Sequence, residues 1–178
     1  YVADGYGLDF IIRYDSNGNY IQHFGGKGKE NIHFNCCHGI TLDSRDGNNS
    51  LLITSRTANC FKRFTLDGKY IETIKLPSCF ICRPVLKNGN LYFAVIVTRD
   101  WGTYDGMLAI LDKNNTVVSM PGGNKPTYDG SSLIPPIYDQ KTFLNPHDVC
   151  VDNDENIYVP QWNSGKTYPC LLYTSDAA

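Results

Sequence analysis

The sequence predicts an all-β protein and, within that class, a β-propeller. Three observations carry this. The composition favours short strands and tight turns: 12 tyrosines and 8 phenylalanines stand beside 16 glycines, and aromatic residues suit pleated surfaces while glycine suits turns. Apolar runs of strand length are separated by Asn-Gly and Asp-Gly turn signals. The pattern also repeats: Asp67-Gly68-Lys69-Tyr70-Ile71 lies over Asn17-Gly18-Asn19-Tyr20-Ile21 at a constant offset of 50 residues without a gap.

The elements follow in order. Tyr1 to Asp4 is a strand with a loop tip at Gly5-Tyr6-Gly7. Phe10 to Asp15 is the next strand, Ser16-Asn17-Gly18-Asn19 the turn, and Tyr20 to Phe24 the return. Gly25 to Asn31 is a connector rich in Gly and Lys. In the second cycle, Ser50 to Thr54 answers Tyr1 to Asp4, and Phe61 to Thr65 answers Ile11 to Asp15. The third cycle is looser: Asn88-Gly89-Asn90 turns into Leu91 to Val95, and Met107 to Asp112 leads through Lys113-Asn114-Asn115 to Thr116 to Ser119. A fourth runs from His147 to Trp162. Self-similarity at roughly 40–50 residues, with about four strands per unit, is the signature of propeller blades. One blade cannot bury its own faces, so blades stack around a channel. A β-sandwich has a similar strand count, but the gapless repeat argues against it.

Residues 1–169 therefore read as part of a ring, with about three to four blades present. The chain opens at Tyr1 inside a strand and has no initiator Met, so preceding residues are expected. Cys170 to Ala178, CLLYTSDAA, breaks the pattern. It matches the translation of a transposon-end sequencing adaptor and reads as a fusion scar. A natural terminal strand is the competing reading.

Composition narrows the function classes. Of 178 residues, 42% are hydrophobic, enough for a core, and the net charge is −2. That charge argues against nucleic acid as a partner, which needs a basic face. No apolar run reaches about 18 residues, so no membrane-spanning helix is expected. A small-molecule or peptide ligand fits better. Of the seven cysteines, Cys170 falls in the terminal stretch. Cys36 and Cys37 are adjacent, and Cys79-x-x-Cys82 has no second such pair, so a zinc ribbon is unsupported. Buried free thiols are expected at Cys36, Cys37, Cys60, Cys79, Cys82 and Cys150.

The chemistry concentrates at the strand starts. His38 opens His-Gly-Ile-Thr-Leu-Asp, and His147 opens His-Asp-Val-Cys-Val-Asp two units later. The unit between reads Cys82-Arg83-Pro84-Val85-Leu86, with no histidine. Each histidine alone is an ordinary strand-start residue. Their matched placement in alternate units points to convergence, because alternate blades of a six-bladed ring lie about 120° apart. Three such imidazoles with an open position form a catalytic zinc arrangement. The third histidine is expected roughly a hundred residues before His38, outside this chain. The same offset sets Tyr6 over Arg56, each after the second strand of its unit. A tyrosine beside a metal or cation serves as a general base, and an arginine grips a carboxylate. Asp148 points away from His147 by strand alternation and is a candidate for calcium or for a turn hydrogen bond. His23 and His33 read as structural or surface residues.

These residues together resemble NHL-repeat six-bladed propellers, and among them the peptidyl-α-hydroxyglycine α-amidating lyases. Val2-Ala3-Asp4-Gly5-Tyr6 is similar to a Val-Ser-Asp-Gly-Tyr stretch, Phe34 to His38 to a Phe-x-x-Pro-His stretch, and Thr54-Ser55-Arg56 to an Ala-Asp-Arg stretch. Pro146-His147-Asp148 matches Pro-His-Asp. The resemblance implies zinc on His38 and His147, calcium on Asp148, catalytic roles for Tyr6 and Arg56, and a secreted or periplasmic setting. Its activity would be C–N bond cleavage to an amide and glyoxylate. Cys37 replaces the proline before His38, and the family's disulfide cysteines are unmatched. Bacterial propellers with Cys-His-Gly and Asn-Pro-His-Asp stretches are also similar. A non-catalytic propeller binding a peptide, protein or glycan at its mouth is the alternative.

Overall fold

The structure is a computed structural model that describes residues 1–103, 105–138 and 142–162, together with the backbone of 171–172. Among the described residues no helix forms, and the chain is all-β, built from small antiparallel sheets. The first sheet holds β1 (Val2–Ala3), β2 (Phe10–Tyr14) and β3 (Tyr20–Gly25) in that order. The second holds β4 (Ile40–Asp43), β5 (Ser50–Ser55), β6 (Cys60–Phe64) and β7 (Tyr70–Lys75), also in order. The third is less regular. It contains β8 (Phe80–Ile81), β9 (Val85–Lys87), β10 (Asn90–Val97), β11 (Met107–Leu111) and β12 (Val117–Ser119). Here β8 and β9 share one edge of β10, and β11 then β12 extend the other. A hairpin of β13 (Tyr128–Asp129) and β14 (Ser132–Leu133) follows. The fourth sheet is β15 (Cys150–Val151), β16 (Ile157–Tyr158) and β17 (Leu171–Leu172). The rest of the terminal stretch read as a scar lies outside the described residues.

The turns repeat more faithfully than the residues that make them. In the first, Gly18 takes φ 83° and its N–H reaches the Asp15 carbonyl at 3.1 Å. In the second, Gly68 takes φ 85° and its N–H reaches the Thr65 carbonyl at 3.0 Å. These left-handed positions explain the Asn-Gly and Asp-Gly signals. The leading side chain fixes each turn. Asp15 Oδ1 accepts from the N–H groups of Asn17 and Asn19 at 2.8 Å, and Asp112 Oδ1 accepts from Asn114 at 2.8 Å and Thr116 at 2.9 Å. Thr65 does similar work by accepting from the Lys69 N–H at 3.0 Å.

Strand alternation then builds the stack. In β5, Leu51 and Ile53 face the first sheet and meet Ile11, Phe34 and Phe64, while Leu52 faces the third. In β10, Leu91, Phe93 and Val95 face the second sheet, while Tyr92 faces the fourth and packs near Val149, Ile157 and Val159. Middle strands are therefore buried on both faces, and every residue of β5, β6 and β11 is buried. Each such aliphatic or aromatic side chain contributes roughly 1.5–3 kcal/mol of burial. Phe61 of β6 and Phe93 of β10 close the second interface edge to face, with centroids 5.0 Å apart.

Two polar devices tie the sheets. Asp43, fully buried at the end of β4, accepts from Arg63 Nη1 at 2.8 Å and from Arg45 Nη2 at 2.8 Å. Arg45 Nη1 continues to the Asp112 carbonyl at 2.6 Å, joining the second sheet to the third. At the other end of the sheets, Thr54 Oγ1 donates to the Cys82 carbonyl at 2.9 Å and Thr41 Oγ1 donates to the Pro84 carbonyl. As a result β9 lies against both β4 and β15, so the leading strands of three successive sheets are neighbours.

The cysteines depart in part from the sequence expectation. Cys37, Cys60, Cys79 and Cys82 are buried free thiols, but Cys36 is half-buried and Cys150 is exposed. Cys150 lies on β15, a strand of two residues whose alternation turns it outward while Val149 packs inward.

Candidate functional site

The two histidines sit just ahead of paired strands and not within them: His38 precedes β4, and His147 precedes β15. Both are delivered by the same backbone device. Two residues before each histidine the chain turns left-handed, at Cys36 (φ 61°) and Asn145 (φ 52°). The carbonyl of each turned residue accepts an N–H from the end of the neighbouring strand. Arg56 N–H donates to Cys36 at 3.0 Å, and Trp162 N–H donates to Asn145 at 2.9 Å. Thus Trp162 stands in the later unit where Arg56 stands in the earlier one.

The departure at Cys37 has a local cause. Its N–H donates to Asp9 Oδ1 at 2.7 Å, and the Cys36 N–H donates to Asp9 Oδ2 at 3.2 Å. A proline at 37 has no N–H and could not make the first of these bonds. Asp9, itself buried and at φ 63°, therefore anchors the loop that presents His38.

The structure brings four of the five candidate residues together. The rings of His38 and His147 meet at 4.9 Å between centroids, nearly perpendicular at 77°. Tyr6 meets the His38 ring at 5.5 Å. Arg56 Nη1 donates to Tyr6 Oη at 3.3 Å. Tyr6 is 81% exposed and Arg56 is 1% exposed, so the cluster runs from the surface to a buried guanidinium. Gly5 permits the approach: a Cβ there would stand 2.6 Å from the Cys37 carbonyl oxygen and 3.1 Å from His38 Cα.

Arg56 is held rigidly but carries an uncompensated charge. Nε donates to the Ile81 carbonyl at 3.1 Å, Nη2 lies 3.2 Å from Cys82 Sγ, and Trp101 covers the guanidinium at 5.8 Å. No carboxylate pairs with it among the described residues. Its field reaches the histidines. Burial first, then Arg56, then His147 push the His38 pKa down to about 4, against a smaller opposing effect of Asp148. Burial and Arg56 also lower that of His147. Both imidazoles are therefore neutral near pH 7 and able to act as bases or ligands. Burial drives the Cys82 thiol up to about 11 despite Arg56, so it stays protonated.

Asp148 follows His147 directly, and its charge opposes the lowering of both histidine pKa values. Its Oδ1 and Oδ2 lie 3.2 and 3.1 Å from Arg83 Nη2, in a partly exposed pair. His23 and His33 stay apart from the cluster. His23 bonds to Tyr20 Oη at 2.6 Å, and the His33 carbonyl accepts from Lys62 at 2.5 Å.

Sequence reasoning passed over Cys82, Arg83, Trp101 and Asp9. The signal for the first two was present, because Cys82-Arg83 occupies the point where the flanking units carry histidine. Trp101 and Asp9 carry no motif.

The residues fit a metal in part. His38 Nδ1 is a buried nitrogen with no hydrogen-bond partner, beside a second neutral imidazole. Among the described residues, no group of three or more His, Cys, Asp or Glu side chains converges as a metal site.

No family model matches the sequence, and no curated protein matches it. Among solved structures the chain is similar to a protein of unknown function from Bacteroides caccae, with a TM-score of 0.44 and 11% identity. The likeness covers 91% of this chain and 64% of that one. No helix among the described residues is long and apolar enough to cross a membrane.

Proposed function

We propose that this chain is part of an NHL-type six-bladed propeller whose mouth is a metal-dependent C–N lyase site of the α-hydroxyglycine-amidating kind. The observation that supports it most is the cluster itself. Tyr6, His38, Arg56 and His147, spread over the chain, meet within ring-contact and hydrogen-bonding distance. His38 and His147 would hold zinc together with a third histidine beyond this chain. Bound there, zinc supplies a Lewis acid that polarises the substrate hydroxyl. Tyr6 Oη, at the exposed end of the cluster, would relay the hydroxyl proton to the departing amide nitrogen as the C–N bond breaks and the carbinol carbon becomes the glyoxylate carbonyl. Arg56 receives the substrate carboxylate, the counter-charge that its burial lacks. Cys82 and the Ile81 carbonyl keep the guanidinium oriented. Calcium at Asp148 belongs to the same reading and would have to displace Arg83.

The test uses the chain with its natural flanking sequence. Zinc content near one per chain, loss of zinc in His38→Ala and His147→Ala, and glyoxylate release from a peptidyl-α-hydroxyglycine are expected. A zinc-free protein, or one that releases no glyoxylate, ends the proposal.

One observation favours a second reading. Tyr6 and Trp101, both exposed, flank the buried Arg56. Aromatic side chains around a recessed cation suit a non-catalytic mouth that binds a peptide or glycan. In that case Tyr6→Phe and Arg56→Ala weaken binding, and no turnover is measured.

A further inference from the structure

A cavity of about 720 Å³ opens between β6–β7 of the second sheet, β12 of the third, and the β13–β14 hairpin. It shares no lining residue with the histidine cluster. Its size falls within the roughly 300–1,000 Å³ of small-ligand pockets. Ile74, Leu76, Val117 and Leu133 give it an apolar floor, and all four are buried in the main core cluster.

The charge lining is one-sided. Lys62 and Lys75 line the cavity, and no Asp or Glu does. Lys62 is only 8% exposed. Its Nζ is fully used by three carbonyls, at 3.3 Å (Glu30), 3.1 Å (Asn31) and 2.5 Å (His33). These bonds satisfy its N–H groups, and the Phe34 ring lies 5.8 Å from the ammonium on the side of β6 that faces the first sheet. No carboxylate pairs with either lysine among the described residues. Burial lowers the Lys62 pKa, against a smaller opposing effect of Cys60. Lys75 is exposed at the rim, with donors free to reach a head group. The hydroxyl-bearing Ser131 and Ser132 face the same opening.

We propose that this cavity binds a small amphipathic monocarboxylate, with its apolar body on the Ile74–Leu133 floor and its head group at Lys75 in the field of Lys62. Compact phosphate fits less well. It would leave the apolar floor in water, and the Lys62 donors it needs are already spent.

The test is calorimetric titration of the whole chain with decanoate, decanol and inorganic phosphate at neutral pH. Decanoate binds about tenfold more tightly than decanol, and phosphate does not compete. Lys75→Met removes most of that preference. Ser132 is exposed on β14, so Ser132→Trp can fill the opening without disturbing the core, and it abolishes binding while leaving the thermal midpoint in place. Equal binding of decanoate and decanol overturns the proposal. So does binding that survives Ser132→Trp, phosphate competition, or the absence of any decanoate binding.

Discussion

Replacing Asp43 by Asn tests how the stack is held. The side chain is fully buried. It takes Arg63 Nη1 and Arg45 Nη2 at 2.8 Å each, Arg45 Nε at 2.9 Å and the Arg45 N–H at 3.1 Å. Asn keeps the shape but removes the charge, and it turns an NH₂ group toward a guanidinium. Two arginines, with side chains 3% and 9% exposed, then lose their shared counter-ion. Removing one partner of a buried ion pair costs about 3–5 kcal/mol. Arg63 keeps Glu72 at 2.7 Å, and Arg45 keeps the Asp112 carbonyl and Asn115, so the low end applies, about 3 kcal/mol. For a chain of this size that is a fall in Tm of about 6–12 °C. The dependence on pH gives a second reading. Burial alone would raise the Asp43 pKa, but the hydrogen bonds and charges of Arg45 and Arg63 outweigh it and bring it below the ordinary carboxylate value of 3.8. A depressed carboxylate contributes stability that is present above the unfolded pKa and lost as pH falls through the folded one. The wild type therefore loses this contribution in acid, and Asp43→Asn has already lost it. Urea unfolding at neutral pH and near pH 3 measures both. A neutral-pH loss under about 1 kcal/mol would refute the reasoning, because it would mean that water already screens the pair.

In metal-free protein, His38 titrates at about 4. Its contribution to stability is therefore intact above the ordinary value near 6.5 and declines as pH falls toward 4, as long-range ¹H–¹⁵N spectra of the imidazole across pH 3–8 check. Gly5→Ala drives a Cβ to 2.6 Å from the Cys37 carbonyl oxygen. It separates Tyr6 from His38 and, under the zinc site proposed above, lowers zinc affinity about tenfold or more, measured by competition with a chromogenic chelator, while the far-ultraviolet spectrum stays unchanged. Phe93→Ala empties a fully buried position against Phe61 and costs about 3–5 kcal/mol in urea unfolding.

The strands and their order were legible because their signals are local. Phe10 to Asp15 and Tyr20 to Phe24 emerge as β2 and β3 within a residue at each end, since an Asn-Gly turn fixes where both must stop. Met107 to Asp112 emerges as β11 for a similar reason, with Asp112 closing its own turn. His38, His147, Tyr6 and Arg56 stand out in the sequence by their places in a repeat, and the fold brings these four side chains near one another. Partners chosen by three-dimensional contact were not legible. Arg83 stands opposite Asp148, and Asp9 catches the amides before His38 from a distant loop. The edge of the third sheet was less legible, because Pro84 cannot donate to a ladder. The stretch from Cys82 to Pro84 lies outside any strand, between β8 and β9.

The rings of His38 and His147 touch, but among the described residues no hydrogen bond joins them. One hangs from the second sheet and the other from the approach to the fourth, so the third sheet works as a gauge block between them. Leu91 and Phe93 fill one face of that block, and Tyr92 and Ile110 fill the other. Under the proposed function, a change of ligand at the mouth needs only the exposed loops around Tyr6 and Trp101. A change in the bite of the two imidazoles needs a new core. Variation in this site should therefore come in two unequal kinds, frequent at the rim and rare in spacing, with the second written in residues that never see the ligand.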